Sequence, residues 1–236
     1  MPFLIRYVLC DYIRSYRYIP QVSIYIIWIG VFYTYAPNPI MDSYAITCMS
    51  LYFLSAWLCM SLFNTEDSIQ HQVTILHAGG VAKVYISKII STWIITILLS
   101  IFAVVYPIIF DMFDKPVQFL HIFLSLLSHI TLSLLGILIA TLFSKSLVIR
   151  TMDSWGGVSL LLILSVSYNG IEAKLPSILH PILWILPPFS KVFSNLNLGD
   201  NIHFSFQIAL PFVWVYVYCL FMIMILFFIL KKKRDF

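Results

Sequence analysis

Charge is the scarcest commodity in this chain. Of its 236 residues, 10% are Asp, Glu, Lys or Arg, against roughly 25% in a soluble domain. An ordinary water-soluble globule is excluded by that figure. The sequence has no G-x-x-x-x-G-K-[ST], and so no Walker A loop to cradle the phosphates of ATP. It has no G-x-S-x-G and no H-E-x-x-H, the usual signatures of a nucleophilic or zinc hydrolase. Cysteine is sparse as well. Cys10, Cys48, Cys59 and Cys219 form no C-x-x-C pair and no metal-like cluster. Their expected role is to fill space in a core. The histidines, His71, His77, His121, His129, His180 and His203, are scattered along the chain. No metal site is expected.

What is present is apolar sequence in long blocks. Hydrophobic residues make up 61% of the chain, and the blocks approach the roughly 20 residues needed to cross a bilayer. The expected fold is an all-α integral membrane protein, a single transmembrane domain over residues 1–236. Six spans are expected near 20–36, 43–63, 89–110, 119–143, 154–171 and 207–230. None of these contains Asp, Glu, Lys or Arg. The first is short and requires little tilt or local thinning of the bilayer.

Residues 1–19 read as a basic amphipathic helix lying in the membrane interface. Arg6, Arg14 and Arg17 stand against Asp11, with Phe3, Leu4, Tyr7, Val8, Tyr12 and Ile13 between them. A cleaved signal peptide is the alternative, but no A-x-A site follows.

Orientation follows from counting Lys and Arg. With both termini in the cytoplasm, eleven of the 14 basic residues lie inside and Lys115, Lys174 and Lys191 lie outside. Residues 64–88 are then cytoplasmic.

That stretch, NTEDSIQHQVTILHAGGVAKVYISK, is the most polar segment of the first half. Asn64 or Thr65 is a candidate helix cap, and Glu66 and Asp67 would then fall in the first turn and favour the helix dipole. Ile69, Val73 and Leu76 recur at spacings of four and three and share one face. Gln70, Thr74 and His77 lie on another. Gly79-Gly80 is a helix stop, and the segment from Val81 through Lys83 to Lys88 leads into the third span. The expectation is a short helix over 65–77, held at the membrane surface with one face for a partner. The sequence leaves open which face that is. A plain solvated loop is the competing reading.

The fourth span carries a seam. Ser125, His129, Ser133, Gly136 and Ala140 recur on one face, and small or hydroxylated residues let membrane helices approach closely. His129 is either a hydrogen-bonded packing residue or a group lining a substrate route. Residues 171–206 form the long external connection, and its first half, LPSILHPILWILPPF, is too apolar for a free loop and too broken by Pro176, Pro181, Pro187 and Pro188 to span. A re-entrant or interfacial helical hairpin fits, followed by a turn over 195–201.

This order of parts resembles the permease subunits of type-2 ABC exporters: interfacial helix, two spans, cytoplasmic helix, three spans, proline-rich external hairpin, last span. Glu66, Leu76, Gly79, Gly80, Tyr85 and Lys88 stand where such permeases place an acidic residue, a leucine, a small turn and a Tyr-x-x-x-Lys entry to the third span. Pro187-Pro188 resembles their external proline pair. The arginines usual around the acidic residue are replaced here by Asn64-Thr65. Small size and the Ile, Phe and Tyr bias look most like permeases for bacteriocin or peptide export or immunity.

The resemblance implies a bacterial cytoplasmic-membrane protein with both termini inside. It implies a separate ATPase subunit that binds ATP and Mg, and a second permease copy or a related permease. Residues 64–88 become the coupling element, through Glu66, Asp67, Ile69, Gln70, Val73, Leu76, His77, Gly79, Gly80 and Lys83. This chain itself would bind no cofactor and no nucleic acid, only lipid and protein. An ion-coupled transporter, an intramembrane enzyme and a non-transporting assembly protein are the alternatives. The first normally carries a charged residue within a span; the second needs a nucleophile with a base, or paired metal ligands.

Overall fold

A computed structural model describes residues 1–236 except 145–146, 148–150, 177–179, 181–182, 198, 201–205 and 235–236; for 151, 233 and 234 it describes the backbone only. The chain is 81% helix, with no strand among the described residues. In order the helices are α1 (Pro2–Arg14), α2 (Ile19–Tyr33), α3 (Ile40–Phe63), α4 (Ser68–Ala78), α5 (Val81–Ile109), α6 (Phe119–Leu142), α7 (Thr151–Val166), α8 (Tyr168–Glu172), α9 (Phe189–Leu196) and α10 (Phe206–Arg234).

Four of them are long and apolar enough to cross a membrane: Ile40–Phe63, Val81–Ile109, Phe119–Leu142 and Phe206–Lys232. This is a helical membrane protein. The expected first and fifth spans are shorter than their apolar runs suggested. The α2 helix has 15 residues and α7 has 16, roughly 22–24 Å at 1.5 Å per residue against a hydrocarbon core of about 30 Å. The fifth run does not continue as one helix to residue 171. Ser167 interrupts it, and α8 is a separate turn.

The largest helix–helix contact is between α3 and α6, with α5 packed on both. Small residues make this possible. At Gly136 a Cβ would stand 2.6 Å from the Tyr52 carbonyl oxygen of α3, so the two backbones nearly touch and only glycine fits. The α2 helix adds a stripe of Gln21, Tyr25, Ile29 and Tyr33 at four-residue spacing, all buried, and Tyr25 donates from its hydroxyl to the Thr47 carbonyl at 3.3 Å. By contrast α10 shows one apolar side outward, with Leu220, Met224 and Phe228 exposed, as a lipid-facing helix does.

The interfacial helix forms as α1. Val8 and Tyr12 are its buried residues, and its arginines point away. It lies against α5.

The segment expected to form a hairpin returns into the bundle as α9. Phe189, Val192 and Leu196 are buried there, against α3, α6 and α10. The α9 helix is fastened at both ends: Ser165 donates to the Pro187 carbonyl at 2.9 Å, and the Asn195 amide donates to the Ile208 carbonyl at 2.9 Å. Much of the first arm, with Ser177 and Pro181, lies outside the described residues. So do Leu198 and Asn201 of the expected turn, and Lys145 and Arg150 of the basic tally.

Candidate functional site

The polar stretch after α3 builds the most elaborate side-chain cluster in the protein. The α4 helix begins later than the sequence suggests. Its cap is Asp67, not Asn64 or Thr65, and the Asp67 carboxylate accepts the Gln70 backbone N–H at 2.7 Å. Glu66 therefore lies before the helix and is not in its first turn. That frees its carboxylate to turn inward.

Glu66 is buried and three groups converge on it. Lys88 Nζ stands 2.7 Å from Oε2, and both side chains are about as buried as the core, at 2% and 3% exposure. His71 donates from Nδ1 to the same oxygen at 3.2 Å. Thr74 donates from its hydroxyl to Oε1 at 2.9 Å. The ammonium of Lys88 also sits 5.3 Å from the centre of the Phe63 ring. Val8, Asp11 and Tyr12 of α1 wall the small recess over the pair. Two helices, α4 and α5, are thus joined at one carboxylate, with α1 alongside the recess.

Burial alone would raise the Glu66 pKa. The His71 hydrogen bond, the Lys88 charge and the bonds from Lys88 and Thr74 outweigh it and hold the carboxyl at about 2.

Lys88 lies inside a continuous helix. The α5 helix starts at Val81, not near residue 89, so Lys83 and Lys88 belong to the first turns of a membrane-crossing helix. The expected span 89–110 is free of charge, but the helix extends about two turns before it and carries both lysines there. The charge survives because it is paired with Glu66 within hydrogen-bonding distance.

The C-terminus of α4 is closed by both glycines. Gly79 adopts φ 71°, ψ 30° and Gly80 φ 148°, ψ 148°, regions that favour glycine. Gly80 N–H reaches the Ile75 carbonyl at 3.1 Å and Gly79 N–H the Leu76 carbonyl at 3.2 Å, the reciprocal pattern of a Schellman stop.

With Glu66 holding its polar side inward, α4 turns the other side out. Ile69, Val73 and Leu76 are 73%, 47% and 79% exposed. The question the sequence left open is answered for the isolated chain: the apolar stripe does not face the spans. Beside it runs a groove of about 900 Å³ between α1 and α4, with Phe3, Leu4, Val73 and His77 among its walls. Gln70 bridges its floor by donating from its amide to the Tyr7 hydroxyl at 3.2 Å. Lys83 stands at its edge.

The α6 seam is in the centre of the bundle. Ser125, His129, Ser133 and Ala140 have no solvent-exposed surface, and Gly136 is buried with them. The Nδ1–H of His129 donates to the Ser125 carbonyl at 2.7 Å. Its Nε2 stands 3.1 Å from the Thr47 hydroxyl of α3, which also reaches the Tyr44 carbonyl at 3.1 Å. The Ser125 carbonyl can only accept, so Nδ1 carries a proton. The Tyr44 ring stands edge-on to the imidazole at 6.5 Å.

A second cluster, at the opposite end of the bundle, was not foreseen. Asp200 accepts the backbone N–H of Met41 at 3.1 Å, and Lys115 at 3.3 Å. The His121 imidazole donates from Nε2 to the Asp200 carbonyl at 2.8 Å. Asp200 thereby caps α3 across 159 positions of sequence, where the local cap residue is Pro39. No local pattern could have signalled it. Among the described residues, no group of three or more His, Cys, Asp or Glu could hold a metal ion.

No family model, curated protein or solved structure matches this chain. The functional reading therefore rests on these residues and on the order of the elements.

Proposed function

We propose that this chain is the membrane-spanning permease subunit of an ATP-driven ABC exporter, coupled through α4 to a separate ATPase that binds ATP and Mg. In this reading α2 and α7 also cross the bilayer, giving six spans, with local thinning to match their length. Both termini lie on the cytoplasmic side of a bacterial membrane. A second permease copy, or a related permease, completes the route. The cargo is a peptide or another amphipathic molecule.

One observation carries the reading. The α4 helix is a capped, glycine-stopped element whose apolar stripe, Ile69, Val73 and Leu76, is exposed on the isolated chain. Its polar side, through His71 and Thr74, is hydrogen-bonded to Glu66, which in turn pairs with Lys88 of the long apolar helix α5. A helix so mounted moves with α5. An apolar stripe exposed to water calls for a protein partner, and helix-in-groove docking uses anchors at this spacing. Gln70, His77 and Lys83 border the stripe and supply a polar rim.

The test is Ile69→Asp with Leu76→Asp in the complex reconstituted in membranes. Because both side chains are exposed, the variant chain inserts and melts like the parent. It loses the copurifying ATPase and cargo-stimulated ATP hydrolysis. Retention of both, at normal insertion, would reduce residues 64–88 to a linker.

A further inference from the structure

We propose that the groove where α5 begins and α10 ends binds the phosphate headgroup of an anionic phospholipid. The groove is a cavity of about 360 Å³, within the size of small-ligand sites. It lies on the far side of Gly79-Gly80 from the α1–α4 groove, and Lys83 borders both. The proposal stands apart from the exporter reading; it requires only that α5 and α10 lie in a bilayer.

Two lysines from different helices line the groove, Lys83 of α5 and Lys231 of α10. Both are exposed. Neither has a carboxylate partner among the described residues, whereas Lys88, one turn and a half further along α5, is taken by Glu66. Among the described residues, no Asp or Glu lines the groove. The charge that the described residues place there is positive.

The remaining walls identify what kind of anion answers it. Phe227 and Leu230 line the groove and belong to the stretch Phe206–Lys232, which is apolar enough to lie in a membrane. The helix Val81–Ile109 opposite is of the same kind. The cavity is therefore at the level where two membrane-crossing helices meet water. A soluble anion would gain nothing from Phe227 and Leu230. A phospholipid satisfies both halves, with its phosphodiester oxygens accepting from Lys83 and Lys231 and its glycerol and first methylenes against the two apolar side chains. A zwitterionic headgroup adds an ammonium of its own beside the lysines and is disfavoured.

Native mass spectrometry of the purified full-length chain tests this. Detergent micelles are doped with phosphatidylglycerol, or with phosphatidylcholine of identical chains. The parent is expected to hold one phosphatidylglycerol through collisional activation that strips phosphatidylcholine. Lys83→Gln with Lys231→Gln is expected to weaken that retention on the order of tenfold. Lys83→Arg with Lys231→Arg keeps it. Lys174→Gln with Lys191→Gln, which removes the same charge at the other end of the bundle, also keeps it. Each variant is melted in lipid-free detergent to show that it folds. Equal retention of both lipids, no loss in the Lys83/Lys231 variant, equal loss in the Lys174/Lys191 variant, or displacement of the lipid by millimolar inorganic phosphate would each overturn the proposal.

Discussion

At the residue scale, the cost of leaving a buried charge alone dominates. Lys88→Met leaves the Glu66 carboxylate buried without its cation. We expect a loss of about 3 kcal/mol, the range for breaking one side of a buried pair. Glu66→Gln with Lys88→Met should recover much of that loss, since no charge is then stranded. Unfolding in detergent, followed as a double-mutant cycle, reads both. The same carboxylate sets a pH dependence. Its pKa falls from 4.5 to about 2 on folding, so its contribution is complete above 4.5 and fades as pH drops toward 2. An acid melt of the parent should show this loss, and Glu66→Gln should flatten it. His129 differs, because its hydrogen-bond partners among the described residues are an uncharged carbonyl and a hydroxyl. His129→Ala is expected to cost roughly 1 kcal/mol, the scale of an interhelical hydrogen bond in a membrane, with transport per folded complex unchanged. Normal yield with transport abolished would put His129 on the substrate route instead.

At the scale of elements, α4 is defined by its ends. Its N-terminus was misplaced because Asn64, Thr65 and Asp67 are all good caps by composition, and Glu66 reads as a first-turn acid. What decides for Asp67 is the pull of Lys88 on Glu66, which a linear sequence does not display. The C-terminus was legible, because two glycines after an apolar periodicity have one common use. Gly79→Ala is expected to lower stability by about 1 kcal/mol, from forcing a side chain into φ 71°. Replacing Gly79 and Gly80 together with proline should leave Ser68–Ala78 helical but misdirect it against α5, since proline cannot take positive φ. Hydrogen exchange across α4, compared with ATPase copurification, separates those effects. The expected hairpin has one legible feature. Its prolines end helices, and α9 starts directly after Pro187-Pro188.

For the molecule as a whole, side-chain contacts sort the connections into two ends. The Tyr7–Gln70 bond and the groove shared by Lys83 and Lys231 bring α1, α4 and the end of α10 together. The Lys115–Asp200 pair and the Met41–Asp200 bond bring the other turns together. Read with the positive-inside rule, the excess of basic residues in the sequence segments at the α4 end predicts that this end is cytoplasmic. Thiol labelling tests this in a background without native cysteines. Asn195 is buried and bonded to Ile208, so an exposed position such as Lys174 serves better. A cysteine at Lys174 should react with an impermeant reagent from outside, and one at Ser68 should not. The opposite pattern would overturn the orientation and the coupling role of α4 together.

The sequence by itself determined the class, the main apolar helices, the α4 stripe and its glycine stop. These are local properties: hydropathy over about 20 residues, a helical period, and a backbone angle that favours glycine. Only the tertiary structure decided that Glu66 turns inward to Lys88, that the apolar side of α4 therefore faces out, and that Asp200 caps α3. Each of those joins residues far apart in the chain, and each is settled by where a buried charge or an unsatisfied N–H finds its partner. A pattern read along the chain records which groups need partners. Folding chooses the partner, because the penalty for leaving such a group unpaired in an apolar interior is larger than any local preference.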